Sequence, residues 1–248
     1  MLTDAHCHPF DLAACFPGAE EERQGLGVVC AASATTLEEF EYCEGLPSVL
    51  PCFAVHPQIM GNGESQVIKG LEVLDRLAAE GRLAAVGETG FDLYNAGFRK
   101  TEKMQDEVFG VHLETALRYD LPLVIHARRA MHKIFAHASA LKKCRAVIFH
   151  SWPGTIGEGE SLIRRGINAF FSFGTTVLLN HREAMRCCSL LPADRLLAET
   201  DAPYQPLRGR DFSRYADLAD ILQAMETLRS QAGMENIIEA NFRAAFAL

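Results

Sequence analysis

The stretch Thr3-Asp4-Ala5-His6-Cys7-His8-Pro9 reads as a short strand running into a proline. Side chains two apart on a strand share a face, so Asp4, His6 and His8 are expected to point one way and Cys7 the other. A pair of imidazoles at the end of a strand can hold a metal ion, but a site needs three or four ligands. The remaining ligands must come from elsewhere in the chain, so the search for them is also a search for the fold.

Working outward, short apolar runs of the same kind recur at residues 2–6, Gly27–Ser33, Val49–Val55, Leu83–Gly87, Leu123–Ile125, Ala146–Phe149, Ile167–Phe173 and Leu196–Ala198. Helical spacing of apolar residues fills most of the gaps, at Thr36–Cys43, Gln66–Ala79, Lys103–Tyr119, His132–Leu141, Glu158–Arg165 and Arg182–Leu190, and again at Tyr215–Ser230 and Met234–Phe246. Thr35 or Thr36, Thr101 and Ser161 are expected to cap helices or lie in their first turns. Strands alternating with helices build a parallel sheet, and eight units suit an α/β (β/α)8 TIM barrel occupying residues 1–248 as a single domain. An open doubly wound sheet is the alternative, because strand number alone does not demonstrate closure. The long irregular connections, Pro9–Gln24, His56–Glu64 and Pro203–Ser213, all follow strands.

Composition narrows the function. With 48% hydrophobic residues the chain can fill a large core, and a net charge of -8 argues against a broad basic coat for nucleic acid. There is no apolar run of the roughly 18–20 residues that cross a bilayer, and no basic-then-apolar leader, so a cytoplasmic protein without a membrane partner is expected. No obligate protein partner is indicated. The eight cysteines are scattered without Cys-x-x-Cys spacing and are expected to be reduced. Cys7, pointing away from its histidine neighbours, is not expected to be a ligand.

Polar residues terminate the strands in a pattern: His6 and His8, His56 before Pro57, Glu88, His126, His150 and Asp201. In a barrel those ends converge on one mouth, where imidazoles and carboxylates together are costly to bury without cations. Such a donor set suits zinc, manganese, nickel or iron better than calcium. Around it, His56 reads as a phosphate contact or a turn residue before Pro57, and Arg128 and Arg129 as bidentate phosphate binders or a solvated helix start. Asp92 and Tyr94 read as a substrate-facing loop pair, and Asp4 as a carboxylate that orients a ligand from behind. Trp152 either stacks a base or sugar or plugs its loop. His112 is expected in the core, with His132, His137 and His181 on helix surfaces. Arg208, Arg210 and Arg214 form either a basic rim or an ordinary solvated surface.

The motifs Asp4-Ala5-His6-Cys7-His8, Val55-His56-Pro57, Gly87-Glu88-Thr89-Gly90-Phe91-Asp92, His126-Ala127-Arg128, His150-Ser151-Trp152-Pro153-Gly154 and Glu199-Thr200-Asp201-Ala202-Pro203-Tyr204 stand in the order and spacing of the TatD family of metal-dependent deoxyribonucleases, and Asn241-Phe242-Arg243 extends the likeness. The chain resembles that family over essentially its whole length. It departs from the family after His150, where a Cys-Phe-Ser-Gly-like run is replaced by Ser151-Trp152-Pro153-Gly154.

The resemblance implies a TIM barrel of the amidohydrolase superfamily holding two, sometimes three, divalent ions (zinc, magnesium, manganese, nickel or iron). His6, His8 and Asp201 would bind one ion and His126 and His150 the second, with Glu88 bridging them. Asp201 would also serve as general base in two-metal activation of water. With +4 from two such ions against -2 from Glu88 and Asp201, the mouth would attract a phosphodiester despite the acidic composition. The expected reaction is cleavage of DNA, single-stranded and from an end. A hydrolase of C–N or ester bonds could use the same ligands, and a non-catalytic, metal-stabilised binding module is the reading from another class.

Overall fold

Each apolar run is buried on both faces, as strands between a barrel interior and a helical shell must be. In the computed structural model, which describes residues 1–248, the elements run β1 (Thr3–Cys7), α1 (Pro9–Cys15), α2 (Ala19–Leu26), β2 (Val29–Ala34), α3 (Leu37–Glu44), β3 (Val49–Phe53), α4 (Glu64–Ala79), β4 (Ala85–Asp92), α5 (Ala96–Arg99) and α6 (Glu102–Arg118). They continue β5 (Leu123–Arg128), α7 (Met131–Ala136), α8 (Ala138–Leu141), β6 (Val147–Phe149), α9 (Ile156–Arg164), β7 (Ala169–Phe173), α10 (Arg182–Leu190), β8 (Leu196–Ala198), α11 (Asp217–Arg229) and α12 (Met234–Phe246). All eight strands join one sheet in sequence order, every pairing parallel.

Just past the last strand, Asp201 N–H donates to His6 O at 2.9 Å and His8 N–H to Ala202 O at 2.7 Å. These bonds tie the β8 edge back to β1, giving the (β/α)8 barrel and not the open sheet. α12 covers the end opposite the mouth: Phe242, Ala245 and Phe246 pack on Ala5, Ala31, Cys52, Ala85 and Ala146 from the strand starts. Asn241 Nδ2 holds the helix there by donating to the carbonyls of Ala193 and Leu196, both at 2.8 Å.

The simple alternation of faces fails in two strands. Asp4 aligns with Cys30 and Cys7 with Ala32, so two β1 residues, Ala5 and His6, stand against Ala31 alone. In β4, Gly87 aligns with Val124 and Thr89 with Ile125, leaving Glu88 as an extra residue. Such bulges redirect side chains. The β1 bulge puts Asp4 on the face shared with Cys7 and Cys30, which corrects the expectation that Asp4 shares a face with the histidines. β4 also continues to Asp92, four residues past Glu88. Gly90 lets it lie close to β5, since a Cβ there would stand 2.1 Å from His126 O.

The stretch after β1, expected to be irregular, holds α1 and α2, and Pro57–Asn62 forms a 3-10 turn. Thr36 caps α3 in a reciprocal box with Glu39. Ser161 lies inside α9, whose cap is Thr155 paired with Glu158. All eight cysteines are free, and Cys15 is the exposed one.

Candidate metal centre

The mouth opens into a cavity of about 860 Å³ lined by His8, His56, Glu88, His126, His150 and Asp201 among others, and His6 lies buried at its base. His6 Nε2 is 3.1 Å from His8 Nε2, 3.2 Å from Glu88 Oε2 and 3.4 Å from Asp201 Oδ1. His8 Nε2 is 3.5 Å from the same Asp201 oxygen. The other Glu88 oxygen, Oε1, lies 2.6 Å from His126 Nδ1, 3.3 Å from His56 Nε2 and 3.8 Å from His150 Nε2. The two oxygens of one carboxylate therefore face two different sets of imidazoles.

His6, His126 and His150 are each turned by a partner behind the ring. Ser33 Oγ is 3.3 Å from His6 Nδ1. Asp92 Oδ2 is 3.2 Å from His126 Nε2, and it also accepts from Gln58 Nε2 at 2.7 Å. Behind His150, Glu199 Oε1 lies 3.0 Å from Nδ1, in ionic contact but without the alignment of a hydrogen bond, while accepting from Ser151 N–H at 2.8 Å. Gln205 Nε2 donates to Asp201 Oδ2 at 2.7 Å. Carboxylates behind imidazoles are the usual means of fixing ring orientation at metal sites. Asp4 acts at one remove, accepting from Thr200 N–H and Oγ1 and from the His6 N–H.

His56 differs from the other rings. Its Nδ1 accepts the Gln58 N–H at 3.2 Å, so a neutral ring carries its proton on Nε2 and presents a donor to the mouth.

Burial opposes charge on Glu88, Asp201, His6, His126 and His150, and at these five groups the cluster overrides it. Burial alone would keep Glu88 protonated, yet His56, His150, His6 and His126 hold its carboxyl well below the usual range. Asp201 is likewise pulled far down against burial, chiefly by His150. In return, Glu88 raises His6 well above an ordinary imidazole, and Glu88 with Asp92 raises His126 to about 9. Glu199 raises His150, whereas burial prevails at His56 and lowers it. Asp4, by contrast, is pushed up to about 7 by burial against its three hydrogen bonds.

The donor set fits divalent cations. Ligand atoms gather in three groups, His6–His8–Asp201, His6–Glu88–His150 and His56–Glu88–His126, each within 4.8 Å. The first matches the trio expected for one ion. Around the second Glu88 oxygen, His126 is grouped with His56 and not with His150. The donor tautomer of His56 sets it apart as a hydrogen-bonding group, because a ring nitrogen bearing a proton cannot ligate.

Two expected substrate contacts change character. Asp92 ends β4, fully buried against His126 and Gln58, because the strand continues past its bulge; it is not a loop residue. Trp152 is buried, with its indole against Phe149 and Phe171 and its ring filling the space beside Gly154. Although it is among the residues lining the cavity, it is 4% exposed and packs as the plug of its loop. Tyr94, Arg128 and Arg129 are exposed and do line the cavity.

Among the other histidines, His112 is a satisfied core residue, its Nε2 accepting Val55 N–H and its Nδ1 meeting Thr89 Oγ1. His132 is exposed, His137 is half-buried against Asp106, and His181 caps α10 at the cavity wall. Glu199, Gln58 and Gln205 had no role in the sequence reading. Glu199 did leave a signal, a second carboxylate two residues before Asp201 after an apolar strand.

Residues 3–247 match the family model described as TatD related DNase. The chain belongs to the TatD family. Among its relatives, YjjV of Escherichia coli K12, named as an uncharacterized metal-dependent hydrolase, is 30% identical over 220 residues, covering 83% of this chain and 81% of that one. The Pantoea vagans protein named 3'-5' ssDNA/RNA exonuclease TatD is 29% identical over 231 residues, 87% and 86% of the two chains. In three dimensions, the crystal structure of E. coli YjjV superposes with a TM-score of 0.86 at 24% identity, covering 100% of this chain and 98% of that one. A TatD family protein from Entamoeba histolytica gives 0.78 at 16%, covering 98% and 96%. This TatD-family chain is accordingly a metal-dependent hydrolase with a TIM-barrel fold, and none of its helices is long and apolar enough to cross a membrane.

Proposed function

We propose that this chain hydrolyses phosphodiester bonds in DNA, single-stranded and from an end, at a centre of two divalent cations. The carrying observation is Glu88, whose Oε2 faces His6 and whose Oε1 faces His126. Only a carboxylate can offer one oxygen to each of two neighbouring cations. His6, His8 and Asp201 would hold one ion; His126, with His150 standing between the two sets, would hold the other. The naming of the P. vagans relative as a single-strand exonuclease supports the substrate.

When bound, two such ions acidify water and withdraw charge from phosphoryl oxygens. The protein's own groups supply the rest. Asp201, kept ionised by the imidazoles around it, accepts the proton of the attacking water, and Gln205 steadies its other oxygen. His56 Nε2–H donates to a phosphoryl oxygen, its ring fixed by the Gln58 N–H.

The test is a side-by-side assay of protein loaded separately with zinc, manganese, magnesium, nickel or iron, on labelled single-stranded DNA, a chromogenic phosphodiester, a lactone and a cyclic amide. DNA cleavage is expected with at least one metal, and Glu88→Gln should lower it by about a thousandfold or more while reducing metal content. Preference for a carbonyl substrate would replace this reading with that of a C–N or ester hydrolase. Full occupancy without any hydrolysis would leave a binding module.

A further inference from the structure

Arg128 and Arg129 follow His126 on the wall of the cavity, and neither guanidinium forms an ion pair with any carboxylate. What holds them is Tyr94: the Arg128 guanidinium carbon lies 3.8 Å from its ring centroid and that of Arg129 4.6 Å, and Arg129 Nη1 donates to the Tyr94 carbonyl at 3.3 Å. A stacked guanidinium keeps its edge N–H groups available for planar oxyanions. Tyr94 is itself held from below, its N–H donating to the buried Asp92 and its carbonyl accepting from Arg99. Two unpaired positive charges are thus fixed beside the metal centre by a platform tied to its supporting shell.

The far wall has the opposite sign. Asp11 and Glu39 line the same cavity from α1 and α3, the helices that follow β1 and β2. In an eight-stranded barrel the end of β5, which carries both arginines, stands four strands from β1 and three from β2, so the arginines face the acidic wall across the cluster.

Resting on the phosphodiesterase reading, we propose that Tyr94, Arg128 and Arg129 form a subsite for the phosphate next to the scissile one, and that the Asp11–Glu39 wall receives the residue being released. His126 and Arg128 are two apart on the same face of β5, about 7 Å along the strand, a step comparable to one nucleotide of backbone. A continuing chain carries a phosphate at each nucleotide, so it is attracted to one wall and repelled by the other. The mouth therefore selects chain ends, and it favours substrates with at least two phosphodiesters over those with one.

Two measurements test this. In the first, kcat/KM is compared for a trinucleotide and a dinucleotide in the metal-loaded enzyme, in Arg128→Ala/Arg129→Ala, in Tyr94→Ala and Tyr94→Phe, and in Arg164→Ala on the exposed face of α9. The wild-type preference for the trinucleotide should fall about tenfold in the double variant, fall in Tyr94→Ala, return in Tyr94→Phe, and be unmoved in Arg164→Ala. In the second, oligothymidylate binding is followed by anisotropy with a chelator present, so that cleavage plays no part. The slope of log affinity against log salt should shrink by about 0.7 for each arginine removed. An unchanged slope with an unchanged preference overturns the subsite. Arginine-dependent binding in a protein that hydrolyses neither substrate leaves the subsite standing and removes the phosphodiesterase reading.

Discussion

The two ends of this barrel are built from the same strands and solve opposite problems. At the closed end, Phe242 and Phe246 of α12 fill the space left by alanines at the strand starts, and nothing polar is buried without a partner. At the mouth, His6, Glu88, His150 and Asp201 are all buried within a few ångströms, and Glu199 Oε2 and His150 Nδ1 lack hydrogen-bond partners. The first arrangement lowers the free energy of the fold. The second stores unfavourable desolvation that cations can relieve. Stability and chemistry are thereby separated along the barrel axis, and substitutions at the two ends should have separable effects.

The largest expected effect is at the closed end. Phe242→Ala should destabilise the protein by about 3–5 kcal/mol, measured by urea unfolding, while metal content per folded molecule stays at the wild-type value. A drop in metal stoichiometry matching the loss of stability would show that the ends are not independent.

Between the two ends lies His112, which is buried and held neutral, burial lowering its pKa to about 3. An unfolded histidine titrates near 6.5, so between these values the unfolded chain binds the extra proton and the fold loses stability as pH falls. The contribution is complete above about pH 6.5, and its loss at pH 4 is on the order of 3 kcal/mol. His112→Gln should flatten this segment of the stability–pH curve even if it lowers stability at pH 7. An unchanged slope would assign the acid sensitivity to the mouth instead.

The smallest of the three is at the mouth. Glu199→Gln keeps the shape and the bond from Ser151 N–H but removes the charge behind His150. Metal affinity or activity should drop about 10- to 100-fold, with urea unfolding of the metal-free protein little changed. A larger shift in unfolding than in metal affinity would make Glu199 a structural group.

The sequence carried the barrel because its strands are short apolar runs with polar ends, a pattern that survives without knowledge of pairing. α10 and α12 even matched their expected bounds. It did not carry the bulges at Ala5–His6 and Glu88, since an extra residue in one strand is defined by its neighbour's register. The side assigned to Asp4 and the loop assigned to Asp92 both failed for that reason. α1 and α2 were missed because Pro9 and Gly18 break the apolar periodicity around two short helices. Glu199 and Trp152 depended on which atoms lie behind a ring, something chain order does not record.

The seam of the barrel has a consequence for synthesis. The His6 carbonyl and the His8 N–H, which close the sheet, belong to residues near the start of the chain, and their partners Asp201 and Ala202 emerge only after some two hundred residues. A ribosome-bound fragment lacking that segment has neither a closed wall nor Asp201. With Asp201 as the proposed proton acceptor, hydrolysis would be withheld from incomplete chains and would arrive with the residues that close the ring.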